Sequence, residues 1–176
     1  MKETYGHDNM WNQIKIHFKE LPAQQRVARL LFERGFQIND KGKVVSGRIE
    51  IPHTQIAKEV TVDRRAVDST IQTIQSTPQL RRIYSNLRQV CSLEEVAREF
   101  NMSVIVFIPD NASQSGIIAQ VTEMVSEKGL SIRQALAEDP ETNRHAKLIL
   151  ILEGEIIPEL INDIRKLPGT RSVTVY

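Results

Sequence analysis

The chain has one cysteine, Cys91, in 176 residues. An internal disulfide framework is therefore excluded, and a reducing, cytoplasmic setting is the expectation. Cys91 stands ahead of a helical segment, where a dipole can activate a thiol, but a small packed side chain is the simpler role. Aromatic residues make up only 5%, so any core must be aliphatic. No apolar run approaches the roughly 20 residues that a membrane-spanning helix needs. The opening stretch, Met1 to Asp8, does not read as a signal peptide. The four histidines, His7, His17, His53 and His145, are scattered and share no metal-ligand spacing with the cysteine. There is no glycine-rich phosphate cradle, no nucleophile elbow and no Ser-His-Asp set. The carboxylates Asp139, Glu141, Glu153 and Glu155 flank turns, where solvation is the ordinary fate. Neither an enzyme, a metal centre nor a cofactor is expected.

What is present points to binding. Hydrophobic residues at 40% and charged residues at 26% are those of a soluble globular protein, of one large or two small domains. The net charge of +1 divides unevenly. Residues 1–100 hold 16 Lys and Arg against 12 Asp and Glu, a net +4, and residues 101–176 hold 7 against 10, a net −3. A basic first half fits a polyanion partner, and it also fits a solvated surface.

Trp11, Ile14 and Phe18 recur at helical spacing near the start and predict a short helix packed on its own domain, with an arm or dimer contact as the alternative. Pro22 opens a helix to Arg34 with Val27, Leu30 and Leu31 inward and Gly35 as its stop. Phe36-Gln37-Ile38 and Lys43-Val44-Val45, joined by Asn39 to Gly42, read as a β-hairpin. Arg48 to Ile51 reads as a further strand. Residues 53–76 then carry two helices. The first runs through Ile56, Ala57 and Val60; Thr61-Val62 turn the chain; Asp63 caps a second helix from Arg64 to about Gln75. A helix-turn-helix needs a small residue at the crossing, apolar inner faces and a capped second helix. Ala57, then Val60, Val67 and Ile71, then Asp63 supply these.

The second helix then shows Arg64, Arg65, Asp68, Ser69 and Gln72 outward. Two arginines in a first turn oppose the helix dipole. They fit DNA contact, since arginine is suited to bidentate guanine or phosphate contacts from a recognition helix. They also fit a local Arg64–Asp68 pair at i,i+4. Thr54, Gln55 and Lys58 on the preceding helix are candidates for backbone phosphates. Pro78 ends the second helix, and Leu80 to Leu87 predicts another. Ser92 and Glu95 match a capping box before a helix at about 93–100.

From Ser103 onward the pattern is strand, helix, strand, strand, helix, strand. The strands are Val104 to Ile108, Ser131 to Glu138, Lys147 to Leu152 and Ser172 to Val175. The first helix spans Gly116 to Lys128 with Ile117, Val121 and Met124 on one stripe, Ile118 and Val125 alongside, and Gly129 as its stop. Asp139 to Asn143 reads as a hairpin connection. The second helix starts at Pro158 and carries Ile157, Leu160, Ile161, Ile164 and Leu167 inward. This is the split βαβ, or ferredoxin-like, plan. The fold expected is α+β: a (winged) helix-turn-helix domain, 1–100, followed by a βαββαβ domain, 101–176. Val104 to Ile108 and Leu148 to Leu152 are apolar on both faces, whereas two helices cover one face only. The other face needs a cover, from the N-terminal domain or, preferably, from a second copy, which predicts at least a dimer.

The segment 103–176 resembles an ACT domain, a small-molecule-sensing module usually specific for amino acids. The resemblance rests on Asn111-Ala112-Ser113-Gln114-Ser115-Gly116-Ile117-Ile118 at the first turn, Glu127-Lys128-Gly129-Leu130-Ser131-Ile132, and Lys166-Leu167-Pro168-Gly169. Ser115-Gly116 stands where that pattern usually has Pro-Gly. With the helix-turn-helix, the whole chain resembles archaeal predicted regulators of amino-acid metabolism that contain an ACT domain. The resemblance implies an amino-acid effector lying against Asn111 to Ile117, where Ser115-Gly116-Ile117 offer free N–H groups to its carboxylate. Asn111, Ser113 and Gln134 would take its ammonium or side chain, with Ala112 and Gln114 beside them. ACT domains commonly pair, which agrees with a homodimer. Three functions fit: an effector-responsive DNA-binding regulator, a regulatory subunit docked on a biosynthetic enzyme without DNA, or a dimerisation module without ligand. The first is the leading expectation.

Overall fold

A computed structural model describes residues 10–140, 143 and 145–176. His7, and Glu141 and Thr142 of the expected hairpin connection, lie outside the described residues. The chain divides into two compact units, Met1–Val90 and Cys91–Tyr176. The division falls ten residues before the one expected from sequence, because the segment after Val90 packs with the second unit.

The first unit contains α1 (Met10–Lys15), α2 (Pro22–Glu33), β1 (Gln37–Ile38), β2 (Val44–Ser46), β3 (Ile49–Glu50), α3 (His53–Glu59), α4 (Arg64–Ser76) and α5 (Pro78–Asn86). The three strands form a small antiparallel sheet in the order β1-β2-β3. Proline at the first position of α2 pre-sets a helical φ and gives up an N–H that had no partner anyway. The helix closes through Gly35 at φ +61, with Phe36 N–H donating to Leu31 O at 2.9 Å. A Cβ on Gly35 would stand 2.6 Å from the Arg88 carbonyl oxygen, so glycine is required here for space as well as for φ. Pro78 does more than end α4: it opens α5, with Thr77 serving both ends. The core is aliphatic apart from Phe18 and Tyr84, and includes Val27, Leu31, Val67, Ile74 and Leu80. Tyr84 satisfies its buried hydroxyl by donating to Ala28 O at 2.9 Å.

The second unit contains β4 (Met102–Pro109), α6 (Ile117–Glu127), β5 (Ser131–Ala137), β6 (Leu148–Glu153), α7 (Pro158–Lys166) and β7 (Thr170–Val175). Its sheet runs β5-β6-β4-β7, antiparallel throughout, which completes the βαββαβ plan. Register sets the faces: Ile105 stands opposite Leu150 and Phe107 opposite Leu148, while Val104 stands opposite Ile151 and Val106 opposite Ile149. The first set packs with Val121 and Val125 of α6 and Leu160 and Ile164 of α7. Ile157, expected inward, is 40% exposed because it precedes the first helical turn, and Ile118, expected alongside the stripe, is 45% exposed, one position off the buried residues.

The second set is covered within the unit. A 3₁₀ helix, Glu94–Phe100, lays Ala97 on Val104, Val106, Ile149 and Ile151, with Leu93, Met102, Ile108 and Leu136 at the margin. The expected capping box does not form. Ser92 Oγ accepts from Glu94 N–H at 3.3 Å, and the Leu93 N–H is taken by Gln134 Oε1 at 2.9 Å.

Candidate nucleic-acid interface and effector turn

The helix-turn-helix is built by its turn. Val60 is the C-cap of α3 and Thr61 follows in the left-handed region at φ +52. Val62 N–H donates to Ala57 O at 2.9 Å and Thr61 N–H to Lys58 O at 3.3 Å. This pair of bonds is the Schellman closure, which usually has glycine at the left-handed position. Asp63 Oδ1 accepts from Arg65 N–H at 2.7 Å and starts α4. Ile56, Ala57, Val67 and Ile71 are buried where the two helices meet the core.

All eight positions named from sequence are exposed: Thr54, Gln55 and Lys58 on α3, and Arg64, Arg65, Asp68, Ser69 and Gln72 on α4. They fall into two groups. Arg64 Nε lies 3.6 Å from Asp68 Oδ2, so the local pairing forms. Asp68 Oδ1 also accepts from His53 Nδ1 at 2.6 Å, which ties the start of α3 to α4. His53 was missed as a contributor because its partner lies 15 residues away across the turn, where no periodicity reaches. Arg65, Ser69 and Gln72, at i, i+4 and i+7, form a separate stripe, and neither Arg65 nor Gln72 has a side-chain partner among the described residues. Lys58 is likewise unpaired among them. With the division at Val90 the first unit holds 15 Lys and Arg against 9 Asp and Glu, a net +6, so the charge asymmetry is sharper than the expected boundary gave.

In the second unit the turn from β4 to α6 is an Asx-type loop. Asn111 Oδ1 accepts from Ser113 N–H at 3.0 Å, and Gln114 N–H donates to Asn111 O at 3.2 Å. Gly116 caps α6 at φ +86 with no side-chain cap, and nothing lies within 4 Å of where its Cβ would be. Asn111, Ser113, Gln114, Ser115 and Gly116 are exposed, Ala112 half-buried and Ile117 buried. Beside them is a groove of about 30 Å³ lined by Phe107, Pro109, Ala112, Ile117, Ala137 and Leu148 among others. That volume takes an apolar group of one or two carbons but does not enclose an amino acid. Gln134 is not brought to this turn. It stands opposite Ile151, on the sheet face away from α6, and its amide bonds Leu93 N–H and the Cys91 carbonyl at 2.9 and 2.7 Å. Its sequence neighbours gave no sign of this, because a bulge between Ile132 and Gln134 reverses the alternation of β5.

The chain is distantly similar in structure, over most of its length, to transcriptional regulators of the AsnC family. One, from Agrobacterium tumefaciens, is 16% identical and covers 88% of this chain and 86% of its own, with a TM-score of 0.29. Another, a transcriptional regulatory protein from Pyrococcus furiosus, is 11% identical and covers 87% and 85%, with a TM-score of 0.25. The C-terminal domain of the MgtC protein from Mycobacterium tuberculosis is 15% identical and covers 43% of this chain and 84% of its own, with a TM-score of 0.35. No protein-family model and no curated protein matches the chain.

Chemically, the two sites are suited to recognition. The α4 stripe offers one guanidinium, one amide and one hydroxyl on a capped helix, which are donors and acceptors for base edges and phosphates. The β4–α6 turn offers a helix start without a side-chain cap beside a small apolar groove. Among the described residues no group of three His, Cys, Asp or Glu side chains is placed to hold a metal, and no helix is long and apolar enough to cross a membrane.

Proposed function

We propose that the chain is an effector-responsive DNA-binding regulator, its first unit entering the major groove with α4 and its second binding an amino acid. The observation that carries the DNA half is the stripe Arg65, Ser69 and Gln72, exposed on a helix fixed by the Asp63 cap and the Schellman turn, in a unit of net charge +6. Arg65, whose side chain has no partner among the described residues, is the base-reading arginine of this proposal. Lys58, Thr54 and Gln55 contact the flanking backbone.

The effector half rests on Asn111 to Ile117. The N–H groups at the start of α6 take a carboxylate. The groove takes a small aliphatic side chain, and a second copy closes the site, since one turn cannot enclose the ligand. A dimer would also set two α4 helices on one duplex.

The DNA test is retention of genomic duplex fragments followed by affinity measurement across salt. Log K should fall linearly with log salt, and Arg65→Ala should weaken base discrimination by about 1–3 kcal/mol. Failure of the full chain to retain any duplex at low salt would refute the reading. A thermal-shift screen against amino acids, with and without DNA, tests the effector.

A further inference from the structure

The β1–β2 hairpin precedes the helix-turn-helix in the chain, and nothing in the sequence attaches it to α4. In the structure its turn lies along that helix. Asn39 Oδ1 accepts from Lys41 N–H and Lys43 N–H, both at 3.0 Å, which fixes the turn internally. Gln75, in the last turn of α4, donates its amide to Asn39 O at 3.4 Å. Gly42, at φ +72, sits so close that a Cβ there would stand 2.9 Å from Gln75 Oε1.

At the other end of α4 the same turn borders an open depression of about 330 Å³, lined by Lys41, Lys43, His53, Thr54 and Arg64 together with the carboxylates Glu50 and Asp68. Three cations therefore converge beside the start of α4. Lys43 pairs with Glu50 at 2.9 Å and Arg64 with Asp68 at 3.6 Å, both at exposed positions. Exposed pairs of this kind are weak and readily exchanged for a phosphate. Lys41 has no carboxylate partner among the described residues. Its neighbour Asp40 lines a different depression, with Ile74 and Arg81.

We infer that the Asn39–Lys43 turn is a second DNA contact, in which Lys41 and Lys43 with Arg64 grip the phosphate backbone flanking the groove that α4 enters. The inference rests on the DNA reading above and adds to it a sequence-independent element. It assigns Arg64 to phosphate rather than to bases.

The test measures binding of the full chain to a random-sequence duplex over a salt series, for wild type, Lys41→Ala, Lys41→Ala/Lys43→Ala, Arg65→Ala and Lys128→Ala. Lys128 belongs to the second unit and serves as a control for net charge. Each lost phosphate contact should make the slope of log K against log salt shallower by about 0.9. The single and double lysine variants should follow that series, keep the wild-type ranking among duplexes of defined sequence, and melt as wild type does. Wild-type slopes in both lysine variants, with Arg65→Ala weakened, would overturn the inference and leave the α4 reading standing. An equal loss in Lys128→Ala would also overturn it, by reducing the effect to overall charge. No salt-dependent binding by wild type would remove both.

Discussion

Replacing Thr61 by glycine should stabilise the first unit. Thr61 is a β-branched residue at φ +52, in the turn that sets the angle between α3 and α4. A side chain in the left-handed region crowds the following carbonyl, at a cost of about 1–2 kcal/mol. Glycine removes that cost but loosens the unfolded chain by about 0.4–1 kcal/mol. The side chain of Thr61 is exposed and is not needed for the turn. The bonds from Val62 N–H to Ala57 O and from Thr61 N–H to Lys58 O come from the backbone and survive the substitution. The net expectation is a gain of about 1 kcal/mol, or about 4–8 °C in the melting transition of a domain this size. Urea unfolding followed by far-ultraviolet circular dichroism would read it as a higher midpoint at unchanged slope. Thr61→Asn should fall between, since asparagine tolerates this region better than a β-branched residue does. An unchanged or lowered midpoint for Thr61→Gly would refute the reasoning, and would mean that the threonine side chain contributes more than its backbone conformation costs.

Tyr84→Phe should cost about 0.5–1.5 kcal/mol through the lost hydrogen bond to Ala28 O. Burial also pushes the Tyr84 hydroxyl well above its ordinary value. The unfolded chain therefore gives up that proton first, so stability that is complete below a pH of about 10 is lost as pH rises further. Urea midpoints from neutral to alkaline pH should show this extra slope in wild type, and its persistence in Tyr84→Phe would refute the assignment. Gly116→Asp puts a like charge at the start of α6, at φ +86, where an effector carboxylate would sit. Calorimetry should show lost binding of whichever amino acid the thermal screen identifies, and wild-type affinity would place the effector elsewhere.

The elements were legible where local chemistry decides them. Pro22, Gly35, Asp63, Gly129 and Pro158 mark helix ends that the structure reproduces to within a residue or so, because capping and φ restrictions act over one turn. The βαββαβ order followed from continuous apolar runs for the central strands, helical spacing for the helices, and glycine, proline and polar turns between them. What stayed hidden were contacts between distant residues. His53 meets Asp68 across the turn, the Asn39–Lys43 turn lies along α4, and Gln134 reaches back to Cys91 and Leu93. Each depends on tertiary placement or on a bulge, and none leaves a period in the sequence. The list of exposed α4 residues was readable from helical spacing, but its partition into an engaged pair and an open stripe was not.

The segment before β4 shows how one such placement changes a larger argument. Leu93, Val96, Ala97 and Phe100 recur at i, i+3, i+4 and i+7, the spacing of an amphipathic α-helix. The chain instead forms a 3₁₀ helix, in which every third residue shares an edge. Glu94 and Ala97 share one such edge and lie against the sheet, while Phe100, at its end, does not. Ala97 is fully buried on the sheet, and Glu94 reaches Lys147 Nζ at 3.2 Å. Val96 and Phe100 are left 42% and 59% exposed. A small residue suits the position, because the β-branched side chains of Val104, Val106, Ile149 and Ile151 already fill the face and only a close backbone can seal it. The doubly apolar strands β4 and β6 thus acquire a cover within their own unit, and their composition alone no longer requires a second copy. A case for a dimer then rests on what the cover leaves open, the exposed Val96 and Phe100 on its outer side, and light scattering on the full chain at tens of micromolar decides it: a clean monomer would refute pairing through this face.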